Sequence, residues 1–161
     1  MQAVLLLSLL FALKPDGFRL GLSYGMPGGT AGEVLKSGSS IELGLFMGED
    51  RRIGLNSQLV RITGLDERYV LRFFGLGPEI GLTFNRISLT SSVKFGRFER
   101  QFDEGREAGS SLEFYISGSL KVLSGNGTSA YVGLDLSALP SSKRPLVVYG
   151  LKIELVGRPW D

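Results

Sequence analysis

From Gly17 onward, apolar residues fall on every second position through eight successive segments, the period of a strand with two unlike faces. The first sets Phe18, Leu20, Leu22 and Tyr24 against Arg19, Gly21, Ser23 and Gly25; the second sets Ile41, Leu43, Leu45 and Met47 against Glu42, Gly44 and Phe46. The third sets Ile53, Leu55 and Leu59 against Gly54, Asn56 and Gln58, and the fifth sets Ile87, Leu89, Val93 and Phe95 against Ser88, Thr90, Ser92 and Lys94. The sixth sets Leu112, Phe114, Ile116 and Leu120 against Glu113, Tyr115, Ser117, Ser119 and Lys121. In the seventh, Val132, Leu134 and Leu136 oppose Tyr131, Gly133, Asp135 and Ser137; in the eighth, Val147, Tyr149, Leu151, Ile153 and Leu155 oppose Gly150, Lys152 and Glu154. The fourth, Tyr69 to Phe84, is expected to change face through a bulge near Gly75 to Pro78, because Gly and Pro weaken a regular ladder.

A chain of 161 residues is one domain by size, and its 23 Gly, 10 Phe and 5 Tyr suit strands joined by tight turns. Gly48 to Arg51, Asn85 to Arg86 and Ser124 to Thr128 read as tight hairpins, Gly64 to Glu67 and Leu139 to Arg144 as short links, and Met26 to Ser39 and Asp103 to Ser110 as longer polar loops. The fold class is therefore all-β: a closed antiparallel up-and-down transmembrane β-barrel of about eight strands. Both chain ends then lie on the tight-turn side.

Charge placement decides which face is inside. Arg19, Lys94, Lys121 and Lys152 share the polar face with Glu42, Glu79, Glu113, Asp135 and Glu154, while the middle of the apolar face carries almost no charge. A soluble barrel's outer face would carry more charge and fewer Gly and Ser. The apolar face is accordingly assigned to lipid and the polar one to a lumen that eight strands make too narrow for an open channel. The nine charges are expected to pair there as a lumenal network. Pairing about Asn85-Arg86 puts Glu79 across from Ser92 and diagonal to Lys94; pairing about Asn126 puts Lys121 opposite Tyr131 and Ser117 opposite Asp135. Glycines recur on the polar face in Leu20-Gly21-Leu22, Leu43-Gly44-Leu45 and Ile80-Gly81-Leu82, leaving room for long charged neighbours.

With no Cys and no His, the chain lacks disulfides, Cys/His metal sites and any imidazole base, so neither a metal nor a cofactor is expected. A net charge of +2, spread along the chain, gives no reason to expect nucleic acid as a partner. Residues 1–13 read as an incomplete signal peptide: the apolar run Ala3 to Leu13 falls short of the roughly 20 residues a spanning helix needs. Residues 17–157 form the expected barrel and 158–161 a C-terminal tail.

Leu76-Gly77-Pro78-Glu79-Ile80-Gly81-Leu82-Thr83-Phe84 before a two-residue turn, and the closing strand with Gly150, Ile153 and Leu155, resemble the small bacterial outer-membrane β-barrel proteins, the group of the OmpA transmembrane domain and its OmpX-like relatives. Members usually end on an aromatic residue; here Trp160 is penultimate. The resemblance implies a Gram-negative outer-membrane location, recognition of the last strand by the barrel-assembly machinery, contact with outer-membrane lipid and lipopolysaccharide, and a monomer. It favours a non-enzymatic structural or surface-interaction role, with no catalytic residue. A lipid-modifying barrel enzyme is the alternative, resting on Glu113 and Asp135 since the His such enzymes use is missing; a soluble lipocalin-like carrier with an apolar interior is another, and a narrow pore a third. Lys36, Arg97, Arg100, Arg106, Lys143 and Arg144 are placed in or near external loops, where they meet lipopolysaccharide phosphates or pair with neighbouring carboxylates.

Overall fold

The computed structural model of the chain describes residues 15–28, 35–64, 69–102, 105–141 and 144–158. The signal-peptide reading of 1–13 and the tail beyond Arg158 lie outside the described residues. Strands β1 (Gly17–Pro27), β2 (Leu35–Met47), β3 (Arg51–Gly64), β4 (Val70–Phe84), β5 (Ile87–Phe102), β6 (Gly105–Gly125), β7 (Thr128–Ser141) and β8 (Arg144–Gly157) each pair antiparallel with the next. The sheet closes where β1 meets β8, with Leu20 opposite Leu155 and Leu22 opposite Ile153. No strand in the ring has a free edge along its full length, which is the condition for crossing lipid with strands.

The hairpin turns at one end, here the turn end, follow from local sequence. Asn126 and Gly127 both take positive φ, the pairing a two-residue type I′ turn demands, and Asn85 and Gly48 also take left-handed backbone. Asp16 and Arg158 lie at this same end, their amides bonded to Phe46 and Gly127 carbonyls. The opposite, loop end is where β5 and β6 extend furthest, paired as far as Phe102 and Gly105. Two sequence expectations need correction here: Asp103 to Ser110 is mostly strand β6, and β2 starts at Leu35, well before Ser39.

Faces alternate as read from period two. Leu22, Leu43, Ile80, Leu134 and Leu151 are at least half exposed, while Arg19, Glu42, Lys94, Glu113, Lys152 and Glu154 on the other face are at most 1% exposed. An apolar surface outside and a charged layer across the middle of the interior is a transmembrane design, opposite to that of a soluble carrier with a polar surface and an apolar cavity. The expected change of face in β4 does not occur. Leu71, Phe73, Gly75, Gly77, Glu79 and Gly81 all point inward in one unbroken alternation, with Leu76 opposite Phe95 and Glu79 opposite Ser92 in one register. Pro78 faces outward, and the β4–β5 pairing skips Gly77 and Pro78, as a residue without an amide requires, without changing register or face.

Candidate functional site: the barrel interior

The interior is layered along the barrel. In the middle, the Arg19 guanidinium meets three carboxylates: Glu42 at 3.3 Å, Glu154 at 3.0 Å and Glu79 through its other terminal nitrogen. Lys152 Nζ joins the same cluster at 3.1 Å from Glu42 and 2.8 Å from Glu154, and donates to the Tyr115 hydroxyl at 2.7 Å. Asn56 Nδ2 donates to Glu79. A second group lies beside it, where Lys94 Nζ contacts Glu113 at 3.2 Å and Gln58, and Ser137 donates to Glu113. Tyr115 joins the two groups, its ring under Lys94 Nζ at 4.1 Å and Lys152 Nζ at 5.1 Å.

Seven of the nine charged residues singled out in the sequence thus meet in ion pairs: Arg19, Glu42, Glu79, Lys152 and Glu154 in one cluster, Lys94 and Glu113 in another. Lys121 and Asp135 do not join them. Lys121 stands opposite Tyr131 near the turn end with its Nζ 5.8 Å from that ring, and Asp135 stands opposite Ser117, 8% exposed. The diagonal pairing of Glu79 with Lys94 is not formed. Lys94 has Glu113 directly opposite it on β6, and Glu79 reaches across the lumen to Arg19. Space for these long side chains comes from glycine: a Cβ on Gly21 would lie 2.9 Å from Lys152 Cε.

Toward the loop end the lumen turns apolar. Leu35, Val60, Ile62, Leu71, Phe73, Leu139, Leu146 and Val148 form one buried cluster, with Tyr69 and Phe98 packed against it. Between this plug and the charged layer is a cavity of about 10 Å³ beside Gln58, Asp135 and Val148, room for about one water. Toward the turn end, Phe46, Tyr131 and Val156 make a smaller apolar cluster beside Arg52, which is 2% exposed and donates to Ser88. Sequence reading missed Arg52 and the plug, although parity marks both: Arg52 shares its face with Asn56 and Gln58, and so do Val60 and Ile62.

This filling limits the chemistry available. Glu113, one of the two carboxylates considered for catalysis, is 0% exposed and already accepts from Lys94 and Ser137. Outside, the apolar belt ends toward the loop end at a row of outward arginines. Arg61 on β3 is directly opposite Arg72 on β4, and Arg97 on β5 is diagonal to Arg72; all three are exposed. The nearest carboxylate in the ladder, Glu99 opposite Arg72, is already 2.7 Å from Arg106.

No protein-family model matches the sequence, and no curated protein does. The fold does match solved barrels. Neisserial surface protein A aligns with a TM-score of 0.61 over 88% of this chain and 96% of that one, at 9% identity. The N-terminal β-barrel domain of Pseudomonas aeruginosa OprF aligns at 0.54, covering 88% and 98% with 11% identity. The Yersinia pestis outer membrane protein Ail, solved in a phospholipid bilayer nanodisc, aligns at 0.51, covering 88% and 99% with 11% identity. The closed eight-stranded architecture expected from the sequence is the one shared with these outer-membrane barrels.

Proposed function

We propose that the chain is a non-enzymatic, monomeric integral barrel of the bacterial outer membrane, anchored through its outer surface to lipopolysaccharide, with its turn end toward the periplasm. One observation carries the partner: Arg61 faces Arg72 directly across the β3–β4 ladder, with Arg97 diagonal, at the upper edge of the lipid-facing belt. Like charges directly opposite destabilise a sheet, so three outward arginines in adjacent strands favour an anionic ligand that bridges them. Phosphates of lipopolysaccharide stand at that level of the outer leaflet. The filled middle of the lumen supports the same reading, because it leaves the lipid belt and the two ends of the barrel as the surfaces able to meet other molecules. The barrel-assembly machinery is the partner proposed for insertion, reading β8.

Cell fractionation tests the location: the chain should stay with the outer membrane and require detergent for release, and recovery in the aqueous fraction would end the proposal. For the partner, lipopolysaccharide retained by the purified wild type should fall in the double variant Arg61→Gln, Arg72→Gln; equal retention would remove lipopolysaccharide from it. Steady conductance in planar bilayers would contradict the filled lumen.

A further inference from the structure

The turn end opens on a recess of about 330 Å³, at the lower end of the range of small-molecule sites. The hairpin turns at Glu49 and Asp50, at Asn85 and at Asn126 form its rim. Three cationic side chains, Arg52, Lys121 and Arg158, line it. Arg52 is the buried one. Its Nη2 donates to Ser88, its guanidinium lies 5.2 Å from the centroid of Phe46, and its Nε has no acceptor. A guanidinium offers five donors, and among the described residues the buried Nε has no acceptor. The Arg158 guanidinium lies over the same Phe46 ring at 5.9 Å, with Nη2 donating to the Gly48 carbonyl at 3.1 Å.

Arg52 and Lys121 contrast with the other inward cations. Arg19, Lys94 and Lys152 each touch a carboxylate, whereas among the described residues Arg52 and Lys121 form no ion pair. The fields of Glu154 and Glu79 reach Arg52 from deeper in the lumen but leave its Nε without an acceptor. The carboxylates lining the recess, Glu49 and Asp50, are exposed on the rim, where water screens them. Strand β4 also yields to this guanidinium: a Cβ on Gly81 would sit 3.0 Å from Arg52 Nε.

We propose that this recess binds a phosphate group, with the Arg52 fork and the Lys121 ammonium as its charged contacts and Arg158 at its edge. A buried guanidinium with its Nε unanswered, beside a second cation, suits a phosphate, and the volume admits a phosphate ester as well as the free ion. The phosphate belongs either to a free solute or to a lipid headgroup of the leaflet at the turn end.

The test uses the full chain folded in a nonionic detergent, with its barrel checked by heat-modifiable migration. Inorganic phosphate and a short-chain phosphatidic acid are titrated separately at constant ionic strength, following the amide resonances of Lys121 and Gly127 against a chloride control. Saturation by inorganic phosphate supports a free-solute site, and saturation by the lipid alone supports a headgroup site. Lys121→Gln, at a half-exposed position and checked for heat-modifiable migration like the wild type, should weaken the response about tenfold, as loss of one charged hydrogen bond does; Arg52→Gln should weaken it further, and Lys36→Gln, at the loop end, should leave it unchanged. Absence of saturation by either probe, or a response indifferent to Lys121→Gln, would overturn the proposal.

Discussion

The middle of the lumen and its loop end fill the same narrow tube with opposite chemistry. In the middle, Arg19 holds Glu42, Glu79 and Glu154 at once, so every member depends on a named partner and on its geometry. At the loop end, Ile62, Phe73 and Val148 are held by shape and volume, and each has several interchangeable neighbours. The difference teaches where the barrel is intolerant. A charged layer is specific and fails when one partner is lost, whereas an apolar plug loses stability in proportion to the volume removed.

The sharpest way to break this comparison is Arg19→Met. Glu42 and Glu154 would keep only Lys152 and Glu79 would lose its ion pair, and the cost should reach about 3 to 5 kcal/mol or prevent folding. Urea unfolding in lipid vesicles, or loss of heat-modifiable migration, reads the effect; a loss below that of plug substitutions would invert the comparison.

A smaller effect separates real partners from neighbours by parity. Lys94→Met and Glu113→Gln should couple by about 0.5 to 3 kcal/mol in a double-mutant cycle, whereas Lys94→Met and Glu79→Gln should add within about 0.5 kcal/mol. Coupling in the second cycle would mean that Lys94 leans toward β4 in the membrane.

The smallest effect is expected in the plug. Ile62→Val should cost about 0.5 to 1.5 kcal/mol. A cost approaching that of Arg19→Met would show that the loop end is as exacting as the middle.

How far the sequence carried depends on how local each feature is. The face of nearly every residue in β1, β5, β6, β7 and β8 was legible because side-chain direction has period two. The pairs Glu79 with Ser92 and Lys121 with Tyr131 were also legible, because Asn85-Arg86 and Asn126-Gly127 are short turns that fix register. Partners across the lumen were not. Arg19 meets Glu79 from 60 residues away and Glu154 from 135, distances in sequence that only closure of the ring brings together. The β4 face was misread for another reason: Gly75 to Pro78 were expected to break the alternation, yet they keep it and Leu71 and Phe73 are lumenal. Parity carried from Glu79 would have placed them correctly.

The seam between β1 and β8 gives the central cluster a role in time as well as in space. Arg19 belongs to the first strand and Glu42 to the second, while Lys152 and Glu154 arrive on the last. An open sheet lacking β8 would leave Arg19 without one of its three carboxylates and Glu42 without one of its two cations, and lipid punishes such charges heavily. The partly built barrel therefore gains little by entering the bilayer early. The central cluster is complete only once β8 has paired with β1 and brought Lys152 and Glu154 to it.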